Sequence, residues 1–209
     1  MKVTKRNGGT EDFNVEKIKQ VIGWACEDVE VNPLALEAKF DQFLFDGIST
    51  KQLQANLIEH AKNMATPEEP DWVFVAGRLQ TMNRWAETRS YDIGFLDFFK
   101  EQRQLGLWSH PMFELYSDED VIELGECLDQ ENDLNHSIAS VITSQSKYIL
   151  PNECIQHMFI GNAMIIAGVE PSENRLSFAK EVYRALSDRK ISLATPWLSN
   201  LRNNGNISS

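Results

Sequence analysis

Lys5 and Arg6 stand before an Asn7-Gly8-Gly9 turn, and Lys17 falls in the first turn of a helical pattern that opens near Asn14. Cations at the mouth of a tight turn, beside a helix start whose first backbone N–H groups have no partners, make a phosphate-binding arrangement. The same residues also describe a solvated hairpin turn with flanking lysines. His60, His110, His136 and His157 lack the spacing that gathers a metal ion, and each reads as a surface or satisfied core histidine. Cys26, Cys127 and Cys154 are too few and too scattered for a disulfide framework or a zinc site, and read as small hydrophobes of a reducing compartment. Trp24, Trp72, Trp85, Trp108 and Trp197 read as packing aromatics. Asp118-Glu119-Asp120 follows Ser117 and reads as a helix start, where carboxylates meet the positive end of the dipole.

The elements around these residues must come from a chain of 209 residues, enough for one large domain or two small ones. Its formal charge of −11 repels phosphate backbones, which argues against a nucleic-acid groove. Residues 1–20 depart from that balance, with five cations against three anions, and a basic start in an acidic chain suits a local anion site. No signal peptide opens the chain, and the longest apolar run, Met158 to Val169, is too short to span a bilayer. The expectation is a soluble cytoplasmic protein with no membrane partner.

Val3–Arg6, Asn7-Gly8-Gly9 and Thr10–Phe13 predict a hairpin, because Asn-Gly favours positive φ in a tight turn. Asn14 is the expected cap of a first helix, with Phe13 stapled on Ile18. A second helix is expected from Pro33 to a stop at Gly47, a third from Ser49 or Thr50, and a fourth over 72–89. Helical patterns continue over 92–106, from Ser117, and over 134–148, 154–168 and 172–187. At Ile191–Pro196 the pattern turns extended and predicts a strand. On its own, Thr195 reads as a strand residue before proline.

Val3-Thr4-Lys5-Arg6-Asn7-Gly8 followed by Phe13-Asn14-x-x-Lys17-Ile18 resembles the opening of an ATP-cone, the nucleotide-sensing domain at the N-terminus of many ribonucleotide reductase large subunits. Asp46-Gly47-Ile48-Ser49-Thr50 and Glu69-Pro70-Asp71-Trp72-x-x-x-Ala76-x-Arg78-Leu79 continue the match. Ile191-Ser192-Leu193-Ala194-Thr195-Pro196, then Ser208-Ser209, resembles the segment of class I large subunits that enters the catalytic barrel. The resemblance implies a mainly α chain. An ATP-cone of a β-hairpin and four helices fills residues 1–90. A helical N-terminal domain fills 91–209, with the first strand of the catalytic barrel near residue 191.

The resemblance further implies that Lys5, Arg6, Glu11, Asn14, Val15, Lys17, Ile18 and Thr50 line a pocket for ATP or dATP as allosteric effector, with Mg accompanying the nucleotide and no metal ligands of the chain's own. Gln54 and Ala86 depart from the common bacterial pattern, in which a His and a Lys are usual, and this puts the dATP response in question. Thr195 and Ser209 match positions that bind the ribonucleoside diphosphate. No catalytic residue of the family falls within the chain. Ser209 precedes the position of a redox-active Cys, a boundary compatible with a split gene, an intein junction or a trimmed chain. The expectation is therefore a split or intein-interrupted piece of ribonucleoside-diphosphate reductase, inactive alone. The remaining C-terminal part of the large subunit would complete it. A radical-bearing small subunit and thioredoxin or glutaredoxin as reductant would serve it, in an oligomer without DNA. The competing expectation is a non-catalytic regulator built on an ATP-cone.

Overall fold

The computed structural model describes residues 1–205. Two short strands, β1 (Lys2–Thr4) and β2 (Thr10–Asp12), open the chain. They are followed by α1 (Val15–Cys26), α2 (Pro33–Phe40), α3 (Thr50–Met64), α4 (Trp72–Thr88), α5 (Phe95–Gln104), α6 (Asp118–Gly125), α7 (Ile138–Thr143), α8 (Ile155–Ala167), α9 (Ser172–Ser187) and α10 (Thr195–Asn200). The described chain is mainly helical and divides into two compact units, residues 1–83 with 134–142, and residues 84–133 with 143 onward.

In the first unit β1 and β2 pair antiparallel, with Val3 opposite Glu11 and Thr4 opposite Thr10. The connecting turn lies one residue earlier than Asn7-Gly8-Gly9, with Arg6, Asn7 and Gly8 between Lys5 and Gly9, where Lys5 N–H donates to Gly9 O at 2.7 Å. Gly8 N–H donates to the Lys5 carbonyl at 3.0 Å, and Gly8 alone of the Asn-Gly pair takes positive φ, at 83°. Arg6 and Asn7 thus occupy the centre of an ordinary β-turn and Gly8 supplies the left-handed residue that rejoins the ladder. Asn14 caps α1, its Oδ1 accepting from Glu16 N–H at 2.9 Å. Phe13 stacks on Phe40 with ring centroids 6.0 Å apart, and both Phe13 and Ile18 pack against the unit's core.

α2 ends at Phe40 and a 3-10 turn follows at Asp41–Phe43, so the second helix stops well short of Gly47. The chain there is needed in extended form. Gly47 N–H donates to Lys2 O at 2.8 Å and Thr4 N–H to Ile48 O at 3.0 Å, while Thr4 and Ser49 form a parallel bridge. This edge delivers the chain to α3, which Ser49 and Gln52 close with a reciprocal capping box. The core of Ile22, Leu36, Ile48, Leu57, Trp72 and Leu79 is fully buried. Gly77 of α4 admits close backbone approach, since a Cβ there would lie 2.1 Å from His136 O.

The second unit is built around α8, whose apolar residues face inward on nearly all sides. An all-round apolar helix must be covered, and α9, α10 and a 3-10 turn at Pro111–Leu115 cover it. Phe98, Trp108, Phe113, Met164 and Tyr183 fill the core. Ser117 caps α6 through a box with Asp120. The helical pattern over 134–148 resolves into α7 and a π-helical turn at Ser144–Tyr148.

The strand expected at 191–196, with which the barrel was to begin, does not form. Among the described residues, 191–194 pair with no strand, and the chain enters α10 at Thr195. The physical reason is Pro196 in the first turn of α10, where a fixed φ and a missing N–H suit a helix start. Ala194, at φ −61° and ψ 149°, supplies the extended residue before the helix.

Candidate functional site

In the first unit, the hairpin register sets Glu11 opposite Val3 and brings it beside Lys5. Lys5 Nζ lies 2.7 Å from Glu11 Oε2, and Lys17 Nζ, one turn into α1, lies 3.4 Å from Oε1. One carboxylate thus holds two ammonium groups from different elements. The bond from Lys5 is the main cause that keeps the Glu11 carboxyl below its ordinary value. The side chains of Lys5 and Lys17 remain 46% and 61% exposed, so both face any incoming anion. Arg6 reaches from the turn to α4, its Nη2 donating to Asn83 Oδ1 at 2.6 Å.

The remaining residues expected here fall into two groups. Asn14 uses its side-chain oxygen as the α1 cap, and Thr50 opens α3, brought to β1 by the Thr4–Ser49 bridge. Val15 and Ile18 line a cleft of about 290 Å³ between α1 and α2, with Ile22, Leu34 and Phe40 as further apolar walls. Gln54 Nε2 donates to Leu79 O at 2.7 Å, so its amide ties α3 to α4. Ala86 is exposed. Among the described residues, no three or more His, Cys, Asp or Glu gather to hold a metal ion. The cluster offers cations beside helix starts, a chemistry suited to an anion.

In the second unit Thr195 is the exposed first residue of α10, and its Oγ1 lies 3.5 Å from the Tyr148 hydroxyl. Ser209 lies outside the described residues. His157 is a core histidine. It stacks on Phe98 and Tyr91 at 4.0 and 4.5 Å between centroids, and its Nδ1 accepts from Cys154 N–H at 3.2 Å. Burial drives its pKa down to about 3, so the ring is neutral. Cys26 and Cys154 are free and buried, with burial pushing their thiols up to about 11 and about 12.

Two buried polar groupings escaped the sequence reading. Asp133 is enclosed, accepting from Trp85 Nε1 at 3.0 Å, Tyr91 Oη at 2.9 Å and Gln156 N–H at 3.0 Å. Burial raises its carboxyl to about 6 against those bonds. Glu153 and Arg202 form an ion pair at 2.7 Å with both side chains at 0% exposure. A lone acid before an apolar helix looks like any first-turn carboxylate, and its partner lies 49 residues away.

Comparison with known proteins adds to this geometry. Residues 1–87 match the family model described as ATP cone domain, and residues 135–206 match that described as ribonucleotide reductase, all-alpha domain. The chain is 37% identical over 206 residues to the ribonucleoside-diphosphate reductase subunit alpha of Synechocystis sp., covering 97% of this chain and 27% of the relative. It is 30% identical over 212 residues to the ribonucleoside-diphosphate reductase 1 subunit alpha of Escherichia coli, covering 96% and 28%. The subunit alpha of Enterobacteria phage T4 matches at 27% over 209 residues, again 96% and 28%. The chain therefore spans just over a quarter of the length of these relatives.

Proposed function

We propose, from a chain that carries an ATP-cone and a ribonucleotide reductase all-alpha domain and so matches the N-terminal part of a class I large subunit, that residues 1–90 sense ATP and dATP. Lys5, Arg6 and Lys17 take the phosphates, with Mg accompanying them. Glu11 and the free amide N–H of Asn14 meet the sugar and base, Val15 and Ile18 give apolar contact, and Thr50 closes the pocket from α3. The observation that carries this reading is the Glu11 carboxylate gathering Lys5 and Lys17 at the mouth of the hairpin. A polyphosphate offers those ammonium groups more charge than one carboxylate does, and the lysines can exchange partners without leaving solvent.

Residues 91–209 form the helical approach to the catalytic part. Through Thr195 and Ser209 they add to the wall that receives a ribonucleoside diphosphate for reduction to the deoxyribonucleotide used in DNA replication. Radical and thiol chemistry belong to polypeptide beyond these residues, to a radical-bearing small subunit and to thioredoxin or glutaredoxin, within a cytoplasmic oligomer. Gln54, bonded to Leu79, and Ala86 stand where the family resemblance expects a His and a Lys. The reading therefore includes weakened control by dATP.

Calorimetric titration of ATP and dATP into the 209-residue chain tests the effector site. Lys5→Gln and Lys17→Gln each lower affinity by about 10- to 100-fold, the value of a charge-assisted bond, and Thr195→Ala leaves it unchanged. Equal affinity in all four proteins, or no binding to the parent, defeats the assignment.

A further inference from the structure

The buried ion pair of the second unit has no part in effector binding, yet its geometry reaches the residue assigned to the substrate. Arg202 uses all five of its N–H donors. Nε donates to Glu153 Oε1 at 2.7 Å and Nη2 to Glu153 Oε2 at 2.9 Å, a parallel fork. Nη1 donates to Asn162 Oδ1 at 2.9 Å and to Leu198 O at 2.7 Å, and the second Nη2 bond runs to Tyr148 O at 2.8 Å. Glu153 is as fully engaged, accepting also from Trp108 Nε1 and Leu150 N–H, each at 2.6 Å. Even the backbone takes part, since Arg202 O accepts from His110 N–H at 3.1 Å.

α8 is shaped for this arrangement. A Cβ on Gly161 would lie 2.7 Å from Arg202 Cδ and 2.8 Å from the Trp108 ring. A buried ion pair adds little net stability over an apolar one of the same volume, so what it supplies is a fixed geometry. Here it fixes two carbonyls, Leu198 O inside α10 and Tyr148 O at the end of the π-helical turn. Those segments carry the two hydroxyls, Tyr148 Oη and Thr195 Oγ1, that lie 3.5 Å apart at the surface. π-Helical turns are rare and concentrate at functional sites.

We propose that Arg202, forked on Glu153, is a positioning residue that holds Tyr148 and Thr195 as one hydroxyl pair, and that Tyr148 joins Thr195 in binding the ribonucleoside diphosphate. The inference rests on the substrate role given to Thr195 above. With one O–H donor shared between the two hydroxyls, the pair still offers one donor and free acceptor lone pairs side by side, suited to adjacent oxygens of a ribose or a diphosphate. Arg202 does not touch the ligand, because it is wholly enclosed.

The test has two arms. In the 209-residue chain, hydrogen exchange is followed over residues 195–203 and over α9 for Arg202→Lys, which keeps the charge and loses the fork. Exchange over 195–203 rises at least tenfold while α9 is unchanged. In the chain assembled with the remainder of the large subunit, small subunit and reductant, KM for ribonucleoside diphosphate rises several-fold in Arg202→Lys and Tyr148→Phe, and kcat changes less than twofold. Tyr148→Phe alters a surface hydroxyl alone and carries the second arm even where Arg202→Lys does not fold. Unchanged exchange over 195–203 overturns the anchor. Unchanged KM in Tyr148→Phe, with a raised KM in Thr195→Ala, overturns the pairing and leaves the substrate reading standing. Unchanged KM in Thr195→Ala removes the substrate reading, and the pairing with it.

Discussion

The Lys5–Glu11–Lys17 cluster and the Arg202–Glu153 network share one chemistry, a carboxylate joined to basic groups, and differ in where they keep it. In the first, the lysines are half-exposed and one carboxylate is divided between two flexible ammonium groups. In the second, both side chains are at 0% exposure, and every guanidinium N–H is bonded. An exposed pair adds little to stability and can exchange its partner for a ligand. A buried pair cannot open without stranding a charge in the interior. The contrast separates a group suited to exchange partners from a group held in one geometry, although sequence composition presents both as Lys, Arg and Glu.

The sharpest break of this contrast is Glu153→Ala, which leaves Arg202 buried without its counter-ion. The expected loss is about 3–5 kcal/mol of unfolding free energy, read by urea denaturation, with ATP binding preserved in the folded fraction.

Acid probes the same interior. His157 has its folded pKa depressed to about 3, so its neutral ring contributes stability that is lost as pH falls from about 6.5 towards 3, in total roughly 4–5 kcal/mol. Asp133 acts with opposite sign. Its folded pKa is raised to about 6, so the cost of its buried charge disappears as pH falls from about 6 to 4. The two slopes offset each other between pH 6 and 4, and His157 dominates below. A pH series of urea midpoints is therefore flat from 6 to 4 and falls below 4. In Asp133→Asn the fall begins near 6.5.

Gly161→Ala forces a methyl against Arg202 and Trp108 and is expected to cost about 1–3 kcal/mol by overpacking, again seen in the urea midpoint. The smallest change belongs to the exposed cluster. Lys5→Gln and Lys17→Gln leave Tm within about 2 °C of the parent in differential scanning calorimetry, in contrast to the loss of effector affinity expected of them. A large Tm loss there would erase the distinction between the two groupings.

Features that depend on neighbours in the chain were legible. Asn7-Gly8 announced the hairpin, Asn14, Ser49 and Ser117 announced helix starts, and α9 spans the Ser172–Ser187 that its periodicity gave. What failed depended on distant partners. α2 stops at Phe40 because residues 46–49 run beside β1, which local propensity does not report. Ile191–Leu193 has the composition of a strand, but no strand among the described residues pairs with it and Pro196 starts a helix. Of the candidate site, the cations and their turn were readable from residue types, whereas the bridging role of Glu11 required the hairpin register. Asp133 and the Glu153–Arg202 fork were not readable at all, because burial and pairing across 49 residues leave no local pattern.

The exposed cluster, and not the buried network, is the proposed receiver of the nucleotide. Amide NMR of the 209-residue chain titrated with ATP tests it most directly. Shifts are expected to concentrate in residues 4–18 and 47–54, with residues 148–162 and 198–205 unmoved. Shifts centred on Tyr148–Asn162, or none in the hairpin and first turn of α1, would contradict it.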